Sequence, residues 1–429
     1  MIIETKQDIL LLYHYPIVRN ASTIMEHVNS FRTYSRFRVW AINTDLGFPA
    51  GLDKYKFQVI ILHYSLFPYN KGQFDSRFMR YLKDSKQSYK IAFFQDEHHN
   101  CQRRFDILNK YNIDCIYTLL APQYWKDVYQ KYTGVSKLVH TLTGYVSDDL
   151  IKKAERYSKP DKDRIIDIGY RGRELKFYMG KGSQEKREIA TRFLEHTNGL
   201  GLNIDIETGE GKRFYGDKWY KFLGDCKACL GVEAGVSIFD IDNVVQKEYE
   251  RLYSKNPNIK YEDMSELLCR YEENIPYRTI SPRHFEASAF RICQILYEGE
   301  YQGILKPMTH YIPLKKDFSN FDDVIRMVRD KDLCRQLTDN CYQDLIASGK
   351  YSFRIFVEDF DQELLSVGFT PIGIAQKNLL PLYLNPRSIL KQLYRIAGIP
   401  LYAQYRGKDT LFFLGRPLKK MYLRIRGLN

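Results

Sequence analysis

Short apolar runs alternate with amphipathic segments along the first 150 residues. The run FQVIILH at 57–63 is apolar at five of its seven positions, which is typical of a parallel strand that is buried on both faces. The alternation predicts an open parallel sheet with helices on both faces. We expect strands at 8–13, 38–42, 57–63, 90–94, 115–118 and 138–142, and helices at 21–31, 74–83 and 105–110.

A second run of the same alternation begins at residue 164. Before it, the polar segment 147–163 ends in KPDKDR and predicts a linker between two domains. The sequence therefore predicts two α/β domains, at 1–150 and 163–347, with an insertion at 240–276. In the second domain we expect strands at 164–169, 202–207, 228–233 and 293–297, and helices at 184–195, 217–226, 245–252, 264–271, 321–329 and 333–347.

The segment 281–317 carries the strongest chemical signal. Ser281 is a good helix N-cap, and Pro282 suits the first helical position. Arg283 follows in the first turn, and Glu286 lies near it on the same helical face. A helix start offers free N–H groups and the positive end of a dipole, which suits a phosphate. A neighbouring carboxylate suits sugar hydroxyls, so the segment predicts a site for a nucleotide sugar.

The RHFEASAF helix and the ILYEGEYQGIL turn resemble the C-terminal half of GT-B glycosyltransferases of the group 1 type, over about residues 163–330. The resemblance implies two Rossmann-like domains that face each other across a cleft, and a nucleotide-sugar donor with no metal or other cofactor. It also implies that a final helix, at 350–368, crosses back to the first domain. In this resemblance Glu286 holds the nucleotide ribose.

Two further segments supply candidates for the donor site. Strand 164–169 ends at Gly169 and opens into YRGRELKFYMGKG, where two of Arg171, Arg173 and Lys181 are expected to neutralise the diphosphate. The segment EGEYQG places Gly299 in a tight turn. The backbone N–H groups of Glu300 and Tyr301 are expected to reach the phosphates or the sugar. The Tyr301 ring is expected to stack on the base or sugar.

Retaining members of the resembled family carry two glutamates eight positions apart. Position 278, eight residues before Glu286, is an arginine, so the contiguous pattern is broken. Glu233, which ends a predicted strand, is expected to replace the first glutamate and to face the donor sugar.

In the first domain, QDEHH follows a predicted strand at 90–94, where an acceptor is expected to bind. Asp96, Glu97 and His98 are the candidates for a general base that receives the proton of the acceptor hydroxyl. A metal site is the competing interpretation, but adjacent ligands on one loop chelate poorly. The D-x-D sequence Asp240–Asp242 raises a second alternative, the metal-binding motif of GT-A glycosyltransferases, which the two α/β halves disfavour.

The basic charge of the chain is concentrated at its C-terminal end. Residues 371–429 hold eleven Lys or Arg and one acid, which gives +10 of the chain's net +13. These charges alternate with Leu, Ile, Tyr and Phe, a pattern that favours an anionic membrane surface. A charged flexible tail and a nucleic-acid site are the alternatives, and no nucleic-acid partner is expected. The eight scattered cysteines indicate reduced thiols. We expect a cytoplasmic protein, without signal peptide or transmembrane span, that is peripheral at the inner face of the membrane.

These patterns predict a glycosyltransferase that moves a sugar, hexosyl or related, from a nucleotide-diphosphate sugar to an acceptor hydroxyl. The tail suggests a glycan or lipid-linked acceptor in bacterial surface-glycan assembly. Two other classes stay open at this point: an epimerase or hydrolase of nucleotide sugars on the same fold, and a non-catalytic protein that binds membrane or nucleic acid.

Overall fold

The structure is a computed structural model that describes residues 5–15, 22–49, 51–67 and 76–372. The basic segment at 371–429 falls outside this part of the chain except for its first two residues. Among the described helices, none has both the length and the apolar character that a bilayer span requires.

Six parallel strands form the first sheet, in the order β2-β1-β3-β4-β5-β6. The strands are β1 (Thr5–Tyr13), β2 (Val39–Asn43), β3 (Tyr55–Leu62), β4 (Tyr89–Phe93), β5 (Cys115–Thr118) and β6 (Lys137–His140). The helices between them are α1 (Ser22–Tyr34), α2 (Ser76–Asp84) and α3 (Cys101–Tyr111). Alternate residues of β1 enter different cores, Leu10 on one face and Ile9 on the other, because side chains alternate across a strand. The sheet is thus covered on both faces.

The expected linker at 147–163 is wrong in its first part, because residues Asp148–Tyr157 form helix α4. The hydroxyl of Ser147 accepts a hydrogen bond from the N–H of Leu150 at 3.0 Å, and two aspartates follow in the first turn. Leu150 and Ala154 are buried in a core that belongs to the second domain. Most residues of this segment are polar, so the two apolar residues that anchor the helix did not indicate a helix in the sequence.

Five parallel strands form the second sheet, in the order β13-β12-β9-β7-β8. They are β7 (Ile166–Arg171), β8 (Ile204–Glu207), β9 (Cys226–Gly231), β12 (Cys293–Tyr297) and β13 (Ile312–Leu314). A separate antiparallel pair joins β10 (Ala234–Val236) to β11 (Tyr277–Thr279). The helices are α5 (Lys181–His196), α6 (Asp217–Asp225), α7 (Val244–Lys255), α8 (Ser265–Tyr271), α9 (Pro282–Ala289), α10 (Phe321–Arg329) and α11 (Lys331–Tyr342).

The last described helix, α12 (Phe353–Ser366), packs against the first domain. Its apolar side chains, among them Phe356 and Phe360, share a core with Phe31 of α1 and with strands of the first sheet. The carboxylate of Asp361 accepts hydrogen bonds from the hydroxyl of Ser35 and the N–H of Arg36, at 2.7 and 2.6 Å. The chain therefore returns to its first domain after completing the second.

The segment 236–277 connects the two domains at a second place. Val236, Phe239, Val245 and Tyr277 belong to the same buried core as residues of the first sheet and of α3. Part of the expected insertion thus packs on the first domain and continues its hydrophobic core.

Candidate functional site

A cleft of about 820 Å³ lies between the two domains, at the carboxyl ends of their strands. The loop after β4 contributes Asp96, His98 and Asn100 to one wall. The opposite wall comes from the ends of β7 and β9 and from helices α5, α6 and α9 of the second domain. Polar and charged side chains line both walls together with apolar ones, and the volume lies in the range of pockets for small organic ligands.

Arg173, Lys186 and Arg283 are among the cationic side chains of the second domain that line the cleft, together with Arg171, Lys176 and Arg213. Arg173 is exposed, and no described residue forms a hydrogen bond or ion pair with its guanidinium. Burial, together with the charge of Arg283, lowers the pKa of Lys186 to about 8, and the carboxylate of Asp96 acts in the opposite direction. The cleft therefore holds more positive charge than the neighbouring protein groups neutralise, which favours an anionic ligand.

The start of α9 lies at the same place. Ser281 is the N-cap, and its hydroxyl accepts a hydrogen bond from the N–H of Arg283 at 3.4 Å. Ser281, Arg283, His284 and Ala287 all line the cleft, so the positive end of the helix faces its interior. The guanidinium of Arg283 donates a hydrogen bond to the carbonyl oxygen of Arg171, which holds the arginine across the end of β7.

Asp96 and His98 face these cations from the first domain. The Asp96 side chain is open to the cleft, yet it lies deep enough that burial raises its pKa, against the positive charge of Lys186 and two arginines. His98 is only 4% exposed, and neither of its ring nitrogens has a hydrogen-bond partner among the described residues. Burial lowers the pKa of His98 far below its usual value, so the imidazole is neutral at pH 7. A neutral ring offers a ligand one donor and one acceptor.

Glu97, the third predicted member of this group, points the other way. It is fully buried, and its carboxylate accepts hydrogen bonds from the Thr118 hydroxyl at 2.5 Å, the Leu119 N–H at 2.8 Å, and the hydroxyls of Tyr129 and Tyr277. A carboxylate with this many donors is a structural anchor, because its oxygens are already occupied. The expectation that Glu97 is a general base is corrected.

Two of the residues expected around the diphosphate do not serve it: Arg171 is paired with another residue, and Lys181 lies elsewhere. Arg171 lines the cleft, but its guanidinium makes a bidentate ion pair with Asp205 at 2.7 and 2.8 Å. Gly169 lines the cleft, and packing also requires a glycine there, since a Cβ would lie 2.3 Å from the Cys226 sulfur. Lys181 is exposed and does not line the cleft. Of Arg171, Arg173 and Lys181, Arg173 is the one whose side chain is available to a ligand in the cleft.

The turn after β12 is organised by Glu233. Its carboxylate accepts the N–H of Tyr301 at 2.8 Å, and a Cβ on Gly299 would come within 2.7 Å of it. Burial raises the pKa of Glu233, and this hydrogen bond opposes the rise. Glu233 and Gly299 do not line the cleft, so the expected contact of Glu233 with the donor sugar is corrected.

Tyr301 is part of the hydrophobic core. Its ring is fully buried, and its hydroxyl donates to the carbonyl oxygen of Tyr297 at 2.7 Å. The expected stacking of Tyr301 on a ligand is therefore corrected, and its backbone N–H already binds Glu233 instead of a phosphate.

Glu286 contacts the cleft through an intermediate residue. Its carboxylate accepts a hydrogen bond from the indole N–H of Trp219 at 3.0 Å, and Trp219 lines the cleft. Glu286 itself faces a separate small cavity that it shares with Glu26 and His27 of α1. Burial raises the pKa of Glu286 to about 7. The resemblance implied a direct ribose contact, whereas the structure shows Glu286 fixing the ring of a cleft residue.

The D-x-D motif caps a helix. Asp240 is buried, and its two carboxylate oxygens accept the N–H groups of Val245 and Gln246 at 3.3 and 2.9 Å. Within the described part of the chain no group of three or more His, Cys, Asp or Glu side chains is arranged to hold a metal ion. All eight cysteines are free thiols.

Sequence reasoning missed Lys186 and Trp219. Lys186 lies in the second turn of α5, five residues after Lys181, so a helix that starts at Lys181 instead of residue 184 would have placed it beside the strand ends. Trp219 is the single tryptophan of the second domain. A lone large aromatic residue near the start of a helix is a weak signal, but it was available.

The structure has the fold class that the sequence predicted: two α/β domains, each with a parallel sheet, that face each other across a cleft. No protein-family model matches the sequence, and no curated protein matches it either. Among solved structures the chain is similar to TarM, with 11% identity and a TM-score of 0.39 over 72% of this chain. It spans 54% of the TarM chain.

Two further solved structures are similar over 84% of this chain and 100% of their own. One is HepE from Anabaena in complex with UDP and glucose, at 8% identity and a TM-score of 0.46. The other is an α-glucosyltransferase in complex with UDP-glucose and DNA, at 10% identity and a TM-score of 0.48. Similarity at this level concerns the fold, and the chemistry of the site is argued from its own residues.

Proposed function

We propose that the protein is a glycosyltransferase that moves a sugar from a nucleotide-diphosphate sugar to an acceptor hydroxyl. One observation carries the proposal. Within a single cleft between the domains, Arg173, Lys186, Arg283 and the start of α9 face Asp96 and His98. An anion-binding wall opposite a carboxylate and a neutral imidazole is the arrangement that transfer from a phosphorylated donor needs.

The cationic wall would bind the diphosphate. Negative charge grows on the leaving diphosphate as the bond to the sugar breaks, so cations at fixed positions stabilise the transition state more than the ground state. Lys186 and Arg173 provide that charge without a metal ion in this proposal. The aromatic ring of Trp219, which Glu286 orients, lies on the same wall and offers a surface to the nucleoside.

The other wall would hold the acceptor and the sugar. A carboxylate whose pKa is raised is a stronger base than an ordinary aspartate, so Asp96 is the candidate that receives the acceptor's proton. His98 has both ring nitrogens available and is the candidate that binds a sugar hydroxyl. Both assignments from the sequence thus keep their place in the proposal, while Glu97 leaves it.

The proposal predicts separate effects on binding and on transfer. Wild-type protein is titrated with UDP, GDP and ADP by calorimetry, and the matching glucose conjugates are incubated with and without a hydroxyl acceptor. Asp96→Asn should retain nucleotide affinity and lose transfer, whereas Arg173→Gln should lose affinity. Lys181→Gln, which changes an exposed lysine outside the cleft, is the control and should behave as wild type.

Absence of binding to any nucleoside diphosphate would refute the proposal. Release of an epimer or of free sugar without acceptor would favour the alternative of an epimerase or hydrolase on this fold.

The acceptor is proposed from the sequence of the segment 371–429. Its basic and apolar residues favour an anionic membrane surface, and therefore a lipid-linked glycan acceptor in bacterial surface-glycan assembly, at the inner face of the membrane. Deletion of this segment should release the protein from vesicles of phosphatidylglycerol and phosphatidylcholine without changing nucleotide affinity. Equal vesicle binding by both forms would contradict the membrane role and leave the donor chemistry standing.

A further inference from the structure

The loop at 95–100 carries both first-domain residues of the cleft, Asp96 and His98, and it belongs to no strand or helix. Asp96 and Asn100 have positive φ angles of 51° and 54°, conformations that non-glycine residues adopt rarely. A loop with such backbone angles needs external contacts to keep one shape. The guanidinium of Arg104 in α3 supplies some of them, to the carbonyl oxygens of Glu97 and His99 at 2.8 and 3.3 Å, and the second domain supplies two more.

Contacts from the second domain's segment 237–247 hold this loop by its backbone. The N–H of Asp240 donates to the carbonyl oxygen of His98 at 2.8 Å. The N–H of Asn100 donates to the side-chain oxygen of Asn243, also at 2.8 Å. One bond is made on each side of His99, so the loop is fixed at two successive points.

The segment that makes these contacts is itself firmly placed. Asp240 caps α7 with both carboxylate oxygens, and Asn243 adopts a left-handed conformation (φ 56°) immediately before that helix. Phe239 and Val245, on either side, are buried in the core that the first domain shares. A helix start with a buried apolar anchor on each flank is a rigid support for the loop.

We propose that segment 240–243 is a positioning element, in which the side chain of Asn243 holds the 95–100 loop so that Asp96 and His98 face the cleft. Asp240, the first residue of the D-x-D sequence, contributes its backbone N–H to this element, and Asn243 directly follows the motif. The consequence for turnover rests on the proposed function, but the positioning itself does not.

Hydrogen exchange followed by mass spectrometry tests the positioning directly. In wild-type protein the amides of Asn100 and Asp240 should exchange slowly, although both lie in loops, because each is hydrogen-bonded. Asn243→Gly keeps the left-handed backbone and removes the acceptor, so exchange in 96–101 should rise by about tenfold. Asn243→Asp keeps an acceptor oxygen and should retain most of the protection.

Asn256→Gly is the matched control, since it makes the same change at the other end of α7 and should leave the 96–101 amides unchanged. The inference is overturned if Asn243→Gly exchanges as wild type does, if Asn256→Gly causes an equal rise, or if the wild-type amides of Asn100 and Asp240 exchange rapidly. The last measurement needs no variant, so the inference stays testable even if the glycine variant does not fold.

A kinetic arm separates this inference from the proposed function. With a nucleotide sugar that wild-type protein turns over, Asn243→Gly should lower kcat and leave the donor KM unchanged, and Asn243→Asp should restore kcat. Should UDP-glucose, GDP-glucose and ADP-glucose all fail as donors of wild-type protein, the proposed function is in doubt, while the exchange data still decide whether Asn243 positions the loop.

Discussion

Lys186→Met is the sharpest test of the anion-binding wall. The substitution removes the ammonium group and keeps an unbranched side chain of similar size in the second turn of α5. A hydrogen bond to a charged group contributes about 1.5–3 kcal/mol, and 1.4 kcal/mol corresponds to a tenfold change in affinity. The affinity for a nucleoside diphosphate should therefore fall by about 10- to 150-fold.

The electrostatic surroundings of Lys186 place the effect in the upper part of that range. Its ammonium group is already desolvated and lies near Arg283 and Arg173, which lowers its pKa to about 8. Among these groups Asp96 supplies the opposing charge. An anionic ligand would meet a site whose positive charge is incompletely neutralised, so each cation contributes strongly to its binding.

The same lysine gives the binding a pH dependence. Only the protonated ammonium attracts the diphosphate, so affinity should decrease as pH rises from 7 to 9, through the pKa of about 8. Lys186→Met should remove most of this decrease. The unliganded protein should show the opposite trend: since the unfolded chain binds this proton more tightly, stability rises with pH between about 8 and the ordinary lysine pKa of 10.5.

Calorimetric titration with UDP, GDP and ADP at pH 7 and pH 9 measures both effects. Lys181→Met, at the start of the same helix but outside the cleft, is the control and should bind as wild type does. Unchanged affinity in Lys186→Met, or an equal loss in the two lysine variants, would refute the argument that the cleft cations bind the diphosphate.

Three further predictions concern residues that the structure moves out of the cleft. Glu97→Leu should lower the free energy of unfolding by about 3–5 kcal/mol, measured in urea, because it leaves buried hydroxyl donors without an acceptor. Tyr301→Phe should cost about 1 kcal/mol by the same measurement, through the lost hydrogen bond to Tyr297, and should not alter nucleotide affinity. Glu286, whose pKa is raised from 4.5 to about 7, should make the melting temperature fall as pH rises from 5 to 7, and Glu286→Gln should flatten that fall.

Each of these predictions has a contrary outcome. A stable Glu97→Leu protein that has lost only transfer would return Glu97 to the catalytic group. Weakened nucleotide binding in Tyr301→Phe would mean that the tyrosine contacts the ligand. A pH profile of melting that is identical in wild type and Glu286→Gln would show that this carboxyl group does not titrate in the range given.

The sequence pattern was sufficient for the architecture. Runs such as FQVIILH are long and apolar enough to be strands regardless of their surroundings, and Ser281 with Pro282 is a local signal that acts within one helical turn. Helix α4 was missed because its apolar residues, Leu150 and Ala154, are few and lie among charges. Its N-cap, Ser147 followed by two aspartates, indicated a helix start more clearly than the apolar pattern did.

The direction in which a side chain points was much harder to predict than the strand or loop that carries it. Asp96, Glu97 and His98 are consecutive, but the loop conformation turns the first and third to the cleft and the second into the core. That choice depends on Thr118 and Tyr129, which are distant in sequence. Glu233 and Tyr301 were assigned to a ligand for the same reason: their mutual hydrogen bond exists only in the folded chain.

After α12 the chain runs along the first sheet, and its position there sets the side of the first domain at which the described residues end. The N–H of Ile372 donates to the carboxylate of Asp8, the side-chain amide of Gln58 donates to the carbonyl oxygen of Thr370, and Phe369 lies against Tyr89. Asp8, Gln58 and Tyr89 all lie in the early halves of their strands, whereas ligands reach the late ends. A tether attached beyond this point would hold the protein on the side opposite the cleft, with the opening of the cleft turned away from the attachment.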